Sequence, residues 1–213
     1  DVALLIGGET GRDGIHGATA SSTGMTGETL ERESAAVQIG HPITERRFTS
    51  AIPALRDAGY VRSITDLGAG GISCAAGEMG AETGVTLDLD AVPLKDQSLT
   101  AWEILLSESQ ERMLIAVPPE KLRETEAVLD RYEVAHTALG RFTDTQRLEA
   151  YWRGQKVVDL EMSFLWGACP IDPLEIAEPK RQLKPLNIPE PHTHTDWSAA
   201  VRRVLTHYHC ADQ

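Results

Sequence analysis

Ser107-Glu108-Ser109-Gln110-Glu111-Arg112 places hydroxyl, carboxylate, amide and guanidinium groups between two apolar runs, Ile104-Leu105-Leu106 and Met113-Leu114-Ile115-Ala116-Val117. Buried without partners, each of these groups would cost several kcal/mol. The stretch is therefore expected to face a cleft, where amides and carboxylates orient a polar ligand. A solvated connection whose charges pair with one another is the other reading that the residues alone allow. A second candidate is Asp66, which precedes Leu67-Gly68-Ala69-Gly70-Gly71. An acidic residue at the carboxyl end of a strand, ahead of a glycine turn that opens a helix, is where α/β proteins hold a metal or a ligand hydroxyl. As a hard anion Asp66 suits Mg²⁺, which uses one or two carboxylates together with substrate phosphates. Capping of the following helix is the alternative. The third candidate runs from Gly7 to Thr19 and includes Gly8, Gly11, Gly14 and Gly17. Glycines let backbone amides approach phosphate, which makes Gly11, Arg12, Gly14 and His16 candidate phosphate contacts. Neither the P-loop nor the dinucleotide spacing is present, and a tight crossing under other elements fits equally well.

The elements that must carry these groups follow from periodicity. Val2 to Ile6 is continuously apolar and reads as a buried strand. A helix is expected from Thr44 to Ala58, with Pro53 kinking or breaking it. Further strands are expected at Val61 to Thr65, at Val85 to Leu89 by alternation, and at Met113 to Val117. A small-residue helix should run from Ile72 to about Gly80, with Cys74 as a buried small side chain. Thr100-Ala101-Trp102-Glu103 is a capping box that starts a short helix ahead of the polar stretch. Helix from Pro119 to about Arg131 leads into strands at Val134 to Phe142, Arg147 to Trp152 and Lys156 to Met162, the last two forming a hairpin across Arg153-Gly154-Gln155. Strands mixed with helices in this way indicate an α+β domain, a mixed sheet layered with helices.

Composition narrows the partners. Among 213 residues, 32 acidic against 20 basic side chains give a net charge of −12, which opposes binding to a nucleic-acid backbone. No apolar run approaches the ~20 residues of a membrane span. Cys74, Cys169 and Cys210 are odd in number and far apart, so a reduced, cytoplasmic compartment is expected. Residues 1–170 form the main domain, 171–194 a Pro-rich linker and 195–213 the start of a following domain or a tail helix. The chain opens on Asp1 straight into an apolar strand and reads as a piece of something longer.

Four segments in order, Gly7 to Thr19, Val37-Gln38-Ile39-Gly40-His41-Pro42, Asp66 to Gly71 and Leu106 to Met113, resemble the phosphoribosylformylglycinamidine synthase (formylglycinamide ribonucleotide amidotransferase) family. The similarity spans residues 1–170, and Ser-Glu-Ser-Gln-Glu-Arg is its most specific part. The resemblance implies the first carboxyl-terminal-type domain of the aminoimidazole ribonucleotide synthetase superfamily, in a synthetase built from two tandem halves. Such enzymes use ATP and Mg²⁺ to activate formylglycinamide ribonucleotide, whose oxygen is then displaced by ammonia from a glutaminase subunit, with a small accessory subunit in the complex. By position, Gln38, Glu108, Ser109 and Gln110 are implied substrate ligands and Asp66 a Mg²⁺ ligand. His41 stands where the family more often has Asp, and Pro53 interrupts a helix that the family keeps regular. The family's catalytic His lies in a preceding domain, so no catalytic residue is expected here and the chain alone should be inactive. A kinase-like member of the same superfamily and a scaffold domain docking a glutaminase are the competing readings.

Overall fold

The computed structural model describes residues 1–15, 39–167 and 196–207. The chain divides into two compact units, Asp1–Ile171 and Asp172–Gln213. The first holds strands β1 (Val2–Gly7), β2 (Ser63–Asp66), β3 (Val85–Asp88), β4 (Arg112–Val117), β5 (His136–Phe142), β6 (Arg147–Trp152) and β7 (Gln155–Glu161). Its helices are α1 (Pro42–Asp57), α2 (Gly71–Met79), α3 (Ala101–Leu106), α4 (Leu122–Arg131) and α5 (Met162–Gly167).

The strands form one mixed sheet in the order β2-β4-β1-β5-β3-β6-β7, antiparallel throughout except for the β3–β6 pair. The unbroken apolar runs of β1 and β4 are explained by their central positions, which bury both faces. Leu4 and Ile6 of β1 join Ile115 and Val117 of β4 against Phe48, Ala51 and Leu55 of α1 and Leu129 of α4. Ala3, Leu5 and Leu114 face the other way, against Ile72, Ala75 and Ala76 of α2 and Ile104 of α3. Helices therefore sandwich the sheet in an α+β architecture, and the loops at the Gly7 and Arg112 ends of β1 and β4 meet side by side.

Several expectations are corrected. Helix α1 runs through Pro53 without a break. Pro53 lies on the exposed side between buried Ala51 and Leu55, so the backbone bond its ring removes is lost on the solvent face while the apolar stripe stays packed. Strand β3 stops at Asp88, whose carboxylate accepts from the Asp90 N–H at 3.0 Å and caps a 3₁₀ turn over Leu89–Ala91; Leu89 is buried from that turn instead of from the strand. Cys74 is exposed, with Sγ 3.3 Å from Glu78 Oε1. The helical phase that buries Ile72, Ala75 and Ala76 leaves positions 74 and 78 outside. The β6–β7 hairpin turns on Arg153 and Gly154 alone, both at positive φ (51° and 72°), as a two-residue loop requires.

The described part of the second unit is helix α6 (Trp197–Leu205), capped by Asp196, which accepts from the Ala199 N–H at 3.1 Å. The expected linker, 171–194, lies outside the described residues.

Candidate functional site

The Ser107–Arg112 stretch follows α3, whose start is fixed by Glu103 turning back to accept from the Thr100 N–H at 2.8 Å and its hydroxyl at 2.7 Å. From there the side chains alternate. Ser107 and Ser109 are fully buried, whereas Glu108 and Gln110 remain partly exposed. Burial of the two serines is tolerated because their polar atoms are satisfied: Ser109 Oγ accepts from the Gly11 N–H at 2.8 Å, lies 3.2 Å from Ser107 Oγ and donates to Asp13. Ser109, expected among the substrate ligands, has its hydroxyl engaged in holding the Gly7–Ile15 loop against this stretch. Arg112, 2% exposed, closes the stretch, and burial pulls its guanidinium down to about 10, opposed by the nearby Asp13 charge.

The described part of the glycine loop, Gly7 to Ile15, crosses tightly under the polar stretch. Gly7 has φ +106°, and a Cβ there would overlap the Glu111 carbonyl oxygen. Three of the loop amides have partners within the chain: Gly8 N–H donates to Glu111 O at 2.9 Å, Thr10 N–H to Pro93 O at 2.8 Å and Gly11 N–H to Ser109. Arg12 pairs with Asp96 and, at 2.9 Å, with Glu103, which leaves no net positive charge for phosphate. The Glu103 hydrogen bond raises the Arg12 pKa against its partial burial, and the Asp96 charge adds to it. Gly14 is buried. Gly11 and Arg12 thus have partners within the chain, and His16 lies outside the described residues, as does Gln38.

Asp66 ends β2 with its side chain exposed, and it makes no ion pair among the described residues. The turn that follows is fastened to the polar stretch at two points. The Gly70 N–H, at the N-cap of α2, donates to Glu108 Oε1 at 3.3 Å. Gly71, at φ +53°, approaches so closely that a Cβ would overlap the Ser107 carbonyl oxygen. Only glycine allows that approach, which sets the distance between the metal candidate and the ligand candidates.

Asp66 and Gln110 line one hollow of about 520 Å³, bordered also by Glu45 and Thr49 of α1, Glu111 and Arg112. Glu111 belongs to the stretch expected to face a cleft, whereas Glu45 and Thr49 carried no such signal. Glu45 and Thr49 stand four apart on one face of α1, a helical spacing that becomes informative only once that face is known to border the hollow. A Cβ at Gly40 would lie 3.3 Å from the Glu111 carboxylate, which puts Gly40 at this rim. His41 occupies the N-cap of α1 with Nδ1 2.6 Å from Thr44 Oγ1. The donors on the rim are carboxylates, amide and hydroxyl, the oxygen-rich set that Mg²⁺ takes. Among the described residues no three His, Cys, Asp or Glu side chains cluster closely enough to hold a metal by themselves.

A family model for AIR synthase related protein, C-terminal domain, matches residues 1–153. The phosphoribosylformylglycinamidine synthase subunit PurL of Ignicoccus hospitalis is 37% identical over 209 residues, covering 97% of this chain and 29% of that protein. Thermotoga maritima PurL complexed with FGAR superposes with a TM-score of 0.71 at 32% identity, covering 84% of this chain and 31% of the other. The same protein complexed with ATP gives 0.69 at 28% identity, over 84% and 28%. The chain thus spans under a third of the length of each of these PurL proteins.

Proposed function

We propose, from the premise that this chain belongs to the AIR synthase related protein C-terminal domain family, that it is the portion of a phosphoribosylformylglycinamidine synthase that binds formylglycinamide ribonucleotide and contributes a Mg²⁺ ligand. The reaction joins ammonia to the formylglycinamide carbon. ATP phosphorylates the amide oxygen to an iminophosphate, and ammonia then displaces phosphate to leave the amidine. Phosphoryl transfer of this kind asks a protein chiefly for positioning and charge stabilisation.

The observation that carries the reading is the shared hollow of Asp66 and Gln110. Gln110 offers an amide donor and acceptor to the glycinamide portion of the substrate, and Glu108 a carboxylate beside it. Gln38, two residues before Gly40 in the sequence, is assigned to the same ligand. Ser109 serves by fixing the backbone between its two neighbours. Asp66 holds Mg²⁺, which supplies positive charge to the transferring phosphoryl group when bound. The acidic rim of Glu45, Asp66 and Glu111 supports this, since a phosphorylated ligand needs a cation to approach it.

Groups that perform the chemistry itself are assigned to other parts of the longer protein, as are docking of the glutaminase and accessory subunits that supply ammonia. The setting assigned to such an enzyme is the cytoplasm; among the described residues no helix is long and apolar enough to cross a membrane. The test is calorimetric titration of the full-length protein with formylglycinamide ribonucleotide, for the native sequence and Gln110→Ala. Removing the amide should weaken binding by about tenfold, the worth of one hydrogen bond to a polar ligand. Unchanged affinity would overturn the assignment and favour a scaffold role.

A further inference from the structure

We propose that Arg112 is the positioning residue of the ligand-binding stretch: its buried guanidinium grips the Ser107 and Ser109 carbonyls and so turns Gln110 toward the hollow and Glu108 toward the Gly70 amide. The inference rests on the reading that Gln110 touches the substrate.

Arg112 Nη2 donates to Ser107 O at 2.5 Å, Nε to Ser109 O at 2.8 Å and Nη1 to Thr10 Oγ1 at 2.8 Å. The two carbonyls are two residues apart in an extended stretch of chain, so fastening both on the inner side leaves the residues between and after them facing out. Those residues are Glu108 and Gln110. Glu111 then takes φ +54°, and this reversal brings the chain back into β4 at Arg112 itself. The third donor reaches the glycine loop, which ties the stretch to the end of β1.

The chemistry argues against a merely space-filling side chain. Arg112 forms no ion pair with any carboxylate among the described residues, and the nearby Asp13 charge acts on it without a hydrogen bond. Burying a cation in this way is costly, and an apolar residue would fill the volume with no such penalty. What only the planar guanidinium supplies is a rigid fork that matches separated acceptors; a Lys ammonium at the same place reaches fewer of them and with freer geometry. Arg112 also borders the hollow beside Gln110, so a loosened fork is felt where the ligand sits.

The experiment is a double-mutant cycle in the full-length protein, reading Kd for formylglycinamide ribonucleotide and KM for ATP. Arg112→Lys should raise the Kd by about tenfold, the scale typical of lost orienting contacts, with the ATP KM within about twofold. Combined with Gln110→Ala it should add little, because both changes disable the same contact. Leu148→Ala, a core truncation in β6 away from the hollow, is the control that lowers Tm and keeps Kd. If Arg112→Lys does not fold, Thr10→Val, which removes one acceptor without changing shape, is read in the same way with a smaller rise. A Kd within twofold for the Arg112 or Thr10 variant, or effects that multiply with Gln110→Ala, overturns the proposal. If Gln110→Ala alone leaves Kd unchanged, the functional reading fails first and the proposal falls with it.

Discussion

Replacing Gly71 by Ala tests whether the metal turn and the ligand stretch are locked together by a backbone contact. Gly71 has φ +53°, a Cβ there would overlap the Ser107 carbonyl oxygen, and the Leu105 carbonyl oxygen lies 3.2 Å from the same position. Gly59 is the matched control, with φ +68° and nothing within 4 Å of where a Cβ would sit. An alanine forced into the left-handed region costs about 1–2 kcal/mol. Gly59→Ala should lose that and no more. Gly71→Ala bears the same backbone cost, and relieving the overlap means shifting α2 or the stretch, a strain of about 1–3 kcal/mol by analogy with overpacked cores. The two contributions together come to roughly 2–5 kcal/mol. At about 2–4 °C per kcal/mol for a chain of this size, Tm should fall by about 2–8 °C for Gly59→Ala and about 4–20 °C for Gly71→Ala. Scanning calorimetry of the 213-residue chain, with urea midpoints as a second measure, reads both. Because the displaced carbonyl is also an Arg112 acceptor, only the Gly71 variant of the full-length protein should lose affinity for formylglycinamide ribonucleotide. Equal losses of Tm at the two glycines would refute the argument.

Asp66→Asn should leave Tm within about 2 °C, since the side chain is exposed and has no ion pair among the described residues. The Mg²⁺ concentration supporting half-maximal turnover of the full-length protein should rise by about tenfold or more as a ligand charge is lost; an unchanged Mg²⁺ titration would remove Asp66 from the metal. The Asp13 carboxyl is pushed up by burial but pulled further down by the Ser109 hydroxyl and by Lys95 and Arg112, so its folded pKa lies below the ordinary value. A depressed carboxyl adds stability that is fully present above its unfolded value of about 3.9 and is lost as pH falls through the folded one. Urea midpoints followed from about pH 6 to about pH 2 should therefore decline in acid less steeply for Asp13→Asn than for the native chain, and parallel curves would count against this role.

Much of the fold is written in local pattern. The apolar run of Val2 to Ile6, the capping box at Thr100 and Glu103, and the turn at Arg153-Gly154 each carry a signal a few residues long, and the structure forms a central strand, a helix start and a hairpin there. The polar character of Ser107 to Arg112 likewise marks the site, because such residues between apolar flanks need either solvent or partners. Which of them receives which was decided only by tertiary packing. Alternation along an extended segment says that Ser109 and Gln110 face opposite ways, but not which way is in; that depended on Gly11, Asp13 and Thr10 arriving from some hundred residues away to satisfy Ser109 and Arg112. The same long-range bonds engage the Gly8, Thr10 and Gly11 amides of the glycine loop, which composition alone had left open to an anion. Cys74 and Pro53 show the rule from the other side, since the helical phase against a distant sheet, invisible in either residue's neighbours, put both on the surface. The sequence by itself named the chemical groups and the elements that carry them; their direction and their pairing are properties of contacts between segments remote in the chain, and those exist only in the folded molecule.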